Sequence, residues 1–71
     1  MFRLSTDKKD HKYNGLRVNV VVAANDRFAI LDREDGKGFI QIGPIEYIFI
    51  GHSARTYILE AEDITYFLTR E

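Results

Sequence analysis

The chain of 71 residues has no cysteine, almost no net charge and no long apolar run. Without cysteine it forms neither disulfides nor thiolate metal sites. Ten Lys and Arg stand against eleven Asp and Glu, whereas a non-specific nucleic-acid coat protein needs a strong positive excess. The longest apolar run, residues 20–24, is far shorter than a membrane span. The chain turns polar after Leu4 and lacks a signal-peptide core, so we expect a cytoplasmic protein, in its own cell or in an infected host.

Hydrophobic residues make up 45% of the chain and charged residues 30%, a balance typical of a globular protein and not of a disordered one. The length predicts one small β domain over residues 1–71, in which residues 1–14 form a partly mobile basic arm or an edge strand. So small a chain buries a limited share of its surface. It must therefore pack very efficiently or bury more surface against a partner, and its four Tyr and five Phe favour both outcomes.

Period-two alternation and short β-branched runs predict strands over most of the chain. The predicted strands cover residues 16–24, 28–32, 39–42, 45–50 and 55–60. Turn-forming residues separate them at positions 25–26, 34–38, 43–44 and 51–54.

The predicted strand at residues 45–50 is apolar on both faces. Tyr47 and Phe49 lie on one face and Ile48 and Ile50 on the other, which leaves Glu46 as the one charged residue. A strand of this pattern is normally buried on both sides. We therefore expect it to be central in the sheet or covered twice.

The two ends of the chain are harder to assign. Residues 62–70 alternate Ile, Tyr and Leu with Thr and Phe, which favours a strand over the short helix that the preceding acidic residues also suit. A turn at residues 61–63 would precede that strand. At the other end, Phe2 and Leu4 predict a short edge strand, and residues 5–12 predict a loop or mobile arm.

Five or six short strands with tight turns predict an all-β fold, a small antiparallel meander. A flat open sheet would leave one apolar face wet and two edges exposed. The favoured arrangement is an SH3-like or OB-like partly open barrel. The alternative is a curved sheet that completes its core against another copy of the chain.

No combination of residues predicts catalysis. His11 and His52 are the only histidines and have no ligand spacing typical of zinc, and Ser53 lacks the flanking glycines of a nucleophile elbow. The acidic residues before Gly36 do not follow the pattern of a calcium loop. We expect no enzyme activity, no metal and no cofactor.

Charge is segregated along the chain. Residues 1–17 carry five basic and two acidic side chains, whereas residues 60–71 carry four acidic side chains and one basic side chain. Two electrostatic faces for binding would explain this segregation. The simpler explanation is that the two ends lie side by side and neutralise each other.

These features predict a small non-enzymatic protein-interaction module. It would be an accessory subunit, or a modulator from a phage, another virus or a mobile element that binds and blocks a larger protein of unknown identity. Homo-oligomers could also form through its edge strands. The predicted protein-binding residues form an acidic corner with two tyrosines; they are Tyr57, Glu60, Glu62, Asp63 and Tyr66.

The alternative prediction is a single-stranded nucleic-acid binder, in which bases stack on aromatic side chains beside basic ones. The residues predicted for this surface are Lys8, Lys9, Lys12, Tyr13, Arg17, Arg27 and Arg55. The lack of positive excess weakens this hypothesis. A membrane partner is not expected.

Overall fold

The computed structural model of the protein describes residues 1–22 and 27–71. The predicted turn at residues 25–26 and the end of the predicted strand at residues 16–24 lie outside the described residues. The described residues form seven strands: β1 (Phe2–Thr6), β2 (Arg17–Val22), β3 (Ala29–Arg33), β4 (Phe39–Ile42), β5 (Ile45–Ile50), β6 (Thr56–Ala61) and β7 (Ile64–Arg70). A single turn of 3-10 helix, His52–Ala54, joins β5 to β6.

The all-β prediction is confirmed, and all strand pairs are antiparallel. Strands β4 and β5 have the predicted bounds, and the bounds of β3 and β6 differ from the predicted ones by one residue. Residues 64–70 form a strand and not a helix. The turn before it has Glu62 and Asp63 in the left-handed region (φ 52° and 66°), a conformation typical of a two-residue hairpin loop.

All seven strands belong to one sheet with the order β4-β3-β2-β1-β7-β6-β5. The first strand is therefore interior, and the prediction of an edge strand at Phe2 and Leu4 is wrong. Strand β1 pairs with β2 on one side and β7 on the other, with Leu4 opposite Leu68. This long-range pairing buries both Phe2 and Leu4.

The sheet curls so that its two edge strands meet at one corner. Strands β4 and β5 occupy opposite edges, yet Gly43 and Pro44 alone join them, through a cis peptide bond. The Ile45 N–H donates to the carbonyl of Arg27 at 2.6 Å, which fixes the start of β5 beside the residues leading into β3.

No ladder joins β4 to β5 in the described parts of the chain. The sheet is therefore not closed into a barrel, and the SH3-like or OB-like arrangement is not confirmed. The two-residue link holds the two edges together at the corner. Beyond this corner, β5 pairs with β6 and diverges from β4.

The core lies on the concave face of the curled sheet and receives side chains from every strand. Its buried members are Phe2, Leu4, Val18, Ala29, Leu31, Ile40, Ile42, Ile45, Leu59, Ala61 and Leu68. No polar side chain among the described residues is buried. The tight burial of aliphatic side chains supplies most of the stability, and truncating a fully buried one such as Leu31 costs about 2–5 kcal/mol.

Among residues 1–22 and 27–71, none of the helical segments has the length and hydropathy that spanning a bilayer requires.

Candidate protein interface along strand β5

Strand β5 is an edge strand that, within residues 1–22 and 27–71, pairs only with β6, so the expectation of a central position is wrong. Its four consecutive large apolar side chains remain exposed: Tyr47 is 52% exposed, Ile48 39%, Phe49 47% and Ile50 57%. Isolated exposed apolar residues are ordinary, but a continuous apolar strand at a free edge is a typical binding surface. The sequence pattern of β5 is that of a strand buried on both faces, but no described residue fully covers these side chains.

The backbone of β5 offers unpaired hydrogen-bonding groups on its free side. In an antiparallel strand, the N–H and C=O of successive residues point to alternate neighbours. The Gly51 N–H donates to the carbonyl of Thr56 at 2.7 Å, so the backbone of Gly51 faces β6. Alternation then directs the Phe49 backbone towards β6, and the Ile48 and Ile50 backbones towards the free edge.

The outer face of β5 continues an apolar row across the sheet. Phe49 lies opposite Ile58 on β6, and Ile58 lies opposite Phe67 on β7. Tyr47 lies opposite Glu60, at the acidic end of the same face. This face therefore changes from aromatic and aliphatic to acidic along the strand.

The inner face of β5 borders an apolar cavity of about 390 Å³. Ile48 and Ile50 line the cavity from β5, and Val20 lines it from β2. These three side chains are each more than one third exposed, so they form its open mouth. Among the described residues that line the cavity, Arg70 alone is charged, and its guanidinium stacks over the ring of Phe2 at 4.7 Å.

The two ends of β5 carry opposite charges. Glu46 is exposed at its start, where the acidic side chains of Glu60, Glu62 and Asp63 lie on the paired strand and the following turn. None of these four carboxylates has an ion-pair partner within the described ranges. At the end of β5, the exposed side chain of Arg55 makes that end basic, and His52 is exposed in the same connection.

Three of the predicted protein-binding residues are exposed, and the other two are half-buried. Glu60, Glu62 and Asp63 are exposed at the acidic end of β5, whereas Tyr57 and Tyr66 are half-buried and packed against the core. The ring of Tyr57 meets Phe2 edge-on at a centroid distance of 5.6 Å.

Tyr66 points inward because it shares the concave face with Leu68. Its ring meets that of His11 edge-on at a centroid distance of 6.1 Å. Burial raises the pKa of the Tyr66 hydroxyl, and the negative charge of Glu62 raises it further. This tyrosine is therefore half-buried against the core, with its hydroxyl close enough to Glu62 to be affected by that charge.

The residues predicted to bind nucleic acid are distributed over several places. Lys8, Lys9, Lys12 and Tyr13 lie in the connection between β1 and β2. Three others are separate from that connection: Arg17 begins β2, Arg27 precedes β3 and Arg55 precedes β6.

Asn14 organises the connection between β1 and β2. Its side-chain amide donates to the carbonyl of Lys8 at 2.8 Å, and its side-chain oxygen accepts from the Thr6 N–H at 2.7 Å. Lys12 places its ammonium 5.3 Å from the ring centroid of Tyr13, which is itself half-buried. The lysines are exposed, but the ring of Tyr13 packs partly against the core, which leaves less of it free to stack on a base.

At Glu71 the charges of the two chain ends meet and neutralise each other. Glu71 accepts from Nε of Arg3 and from Nε of Arg17, each at 2.8 Å. Arg17 also contacts Glu34 at 3.0 Å. The two arginines hold the pKa of the Glu71 carboxyl below its usual value, Arg3 contributing more.

Within residues 1–22 and 27–71, no three His, Asp or Glu side chains converge in a way that could hold a metal ion.

Comparison of the chain with protein-family models, with curated proteins and with solved structures found no match.

Proposed function

We propose that this chain is a small non-enzymatic protein-interaction module that binds another polypeptide along β5. The observation that supports this proposal is the combination, in one strand, of a free backbone edge and apolar side chains on both faces. Strand addition uses both features at once: main-chain hydrogen bonds supply affinity, and alternate side chains supply specificity.

A strand bound to β5 would also complete the curl of the sheet. It would cover Ile48 and Ile50 at the mouth of the apolar cavity and extend the sheet from its second edge. In this bound form the fold would approach the partly open barrel that the strand pattern predicts. In one form of this function, the chain is an accessory or modulating subunit that binds a larger protein.

Site-specific photo-crosslinking in the cells that naturally express the protein tests the proposal. A photoreactive benzoyl-phenylalanine replaces Phe49 on β5 in one variant and Phe39 on β4 in the matched control. Phe39 is 68% exposed at the opposite edge of the sheet, so both sites are accessible aromatics on edge strands. We expect a discrete covalent adduct from position 49 and none from position 39. Equal labelling at both positions, or no adduct at position 49, would contradict the proposal.

A second candidate function, binding of single-stranded nucleic acid, is supported by the three exposed lysines of the β1–β2 connection. The ion pairs of Arg17 and the partial burial of Tyr13 make this candidate weaker. Titration of the protein into labelled single-stranded DNA and RNA at low and physiological salt distinguishes the two. Salt-sensitive binding that is lost when Lys8, Lys9 and Lys12 are changed to Glu would favour the nucleic-acid function.

A further inference from the structure

We propose that the polypeptide covering β5 is a second copy of this chain, paired antiparallel across a two-fold axis with Phe49 facing Phe49 of the second copy. This inference rests on the proposed function and specifies its partner. A two-fold interface uses the same patch on both subunits, so β5 must be complementary to itself in shape, hydrogen bonding and charge.

Hydrogen bonding selects the register. The Ile48 and Ile50 backbones face the free edge, so each must lie opposite an outward-facing residue of the second copy. Pairing Ile48 with Ile50 of the second copy, and Ile50 with Ile48, lets the two residues of each pair exchange both backbone hydrogen bonds. Two neighbouring registers are less suitable. Ile48 opposite itself would place Ile50 opposite Glu46, at the irregularity where the register of β5 with β6 shifts. Ile50 opposite itself would place Ile48 opposite His52, in the 3-10 turn beyond the end of β5.

Side-chain packing agrees with this register. Phe49 then lies opposite Phe49 of the second copy in a non-hydrogen-bonded pair. Side chains on neighbouring antiparallel strands approach most closely at such pairs. On the other face, Ile48 and Ile50 of both copies form one apolar layer across the two cavity mouths. Each face of β5 would then gain an apolar cross-strand neighbour, which shields side chains that are exposed at the free edge.

The charges at the ends of β5 are also self-complementary. Antiparallel pairing places the acidic start of one strand beside the basic end of the other. In the selected register Glu46 lies opposite His52 of the second copy, with Arg55 of that copy following. The contact occurs twice because of the symmetry, and no like charges are brought together along the paired strands.

The available area is sufficient for a reversible dimer. A fully exposed aromatic side chain offers about 150–250 Å², and roughly half of each of Tyr47 and Phe49 is exposed. With Ile48, Ile50 and the backbone edge, each copy offers about 500 Å², so that a dimer buries about 1,000 Å² in total. That total is at the lower limit for a specific interface, which predicts concentration-dependent association.

The absence of cysteine allows a direct test by disulfide trapping. Phe49→Cys places the only thiol of the chain opposite its own copy, and Phe39→Cys places one on the other edge strand as the matched control. Under mild oxidation we expect Phe49→Cys to form a covalent dimer at least tenfold faster than Phe39→Cys. Sedimentation velocity of the wild-type protein from micromolar to millimolar concentration should show a reversible monomer–dimer equilibrium.

A monomer at every concentration, or equal rates for the two cysteine variants, would overturn the dimer. Circular dichroism and melting of each reduced variant verify that it is folded, and both substituted side chains are exposed. If the purified protein is monomeric while position 49 crosslinks to a different protein in cells, the dimer is wrong and the proposed function stands. If position 49 forms no adduct at all, both fail.

Discussion

The guanidinium of Arg17 donates from Nε to Oε1 of Glu71 at 2.8 Å, across 54 positions of sequence. The second carboxylate oxygen of Glu71 accepts from Nε of Arg3 at the same distance. One carboxylate therefore ties the end of β7 to the neighbouring strands β1 and β2. The same contact explains why the basic and acidic ends of the chain do not form two separate binding faces at this position.

Glu71→Gln should remove a pH-dependent part of the stability. The folded-state pKa of Glu71 is lowered, first by Arg3 and then by Arg17, so its contribution is present above the ordinary pKa of about 4.5 and is lost as pH falls below it. We expect the variant to melt a few degrees below wild type at neutral pH and to match it in acid. Glu60→Gln is the control, because Glu60 is exposed and makes no ion pair with any described residue. It should leave the melting temperature unchanged both at neutral pH and in acid. A gap that persists in acid would contradict this assignment.

Gly43→Ala should destabilise the corner between β4 and β5. Gly43 has φ +155°, and a Cβ placed there would lie 2.6 Å from the carbonyl oxygen of Arg27 and against the ring of Phe28. Backbone strain and overpacking together predict a loss of about 2–5 kcal/mol in the free energy of unfolding.

The matched control for the corner is Gly36→Ala. Gly36 also has a positive φ, +77°, but open space surrounds its Cβ position. Only the backbone strain remains, and we expect a loss of about 1–2 kcal/mol. Urea denaturation of both variants measures the difference, and equal losses would show that the corner is not tightly packed.

Charge reversal at the two ends of β5 should weaken the dimer, and the double reversal should restore it. Glu46→Arg and Arg55→Glu each bring like charges together at the paired ends, and we expect each to raise the dissociation constant several-fold at low salt. The double variant should recover most of the wild-type affinity, because the opposite charges again face each other. Lys37→Glu, in the β3–β4 turn, is the control and should have no effect. Sedimentation equilibrium at low and high salt provides the measurement.

Local signals in the sequence explain most of the strand assignments. Gly36 and Gly38 supply the positive φ angles of the β3–β4 turn, and Gly43 and Pro44 end β4 where predicted. The order of the strands could not be predicted in the same way. It depends on the pairing of β1 with β7, which joins residues from opposite ends of the chain and leaves no local pattern.

The candidate interface was only partly visible in the sequence. The two apolar faces of β5 indicated that it needs covering, but its edge position follows from the sheet order alone. The inward direction of Tyr57 and Tyr66 was readable from period-two alternation, because Tyr57 shares a face with Leu59 and Tyr66 shares one with Leu68.

Amide hydrogen exchange at Ile48 and Ile50, followed by NMR, tests most directly whether the free edge of β5 pairs with another strand. These two N–H groups have no partner on β6, so only an added strand protects them. We predict slow exchange in concentrated protein and fast exchange after dilution or in Phe49→Lys, with the Phe49 N–H less affected. Fast exchange of Ile48 and Ile50 at every concentration, with the rest of the sheet protected, would contradict strand pairing at β5.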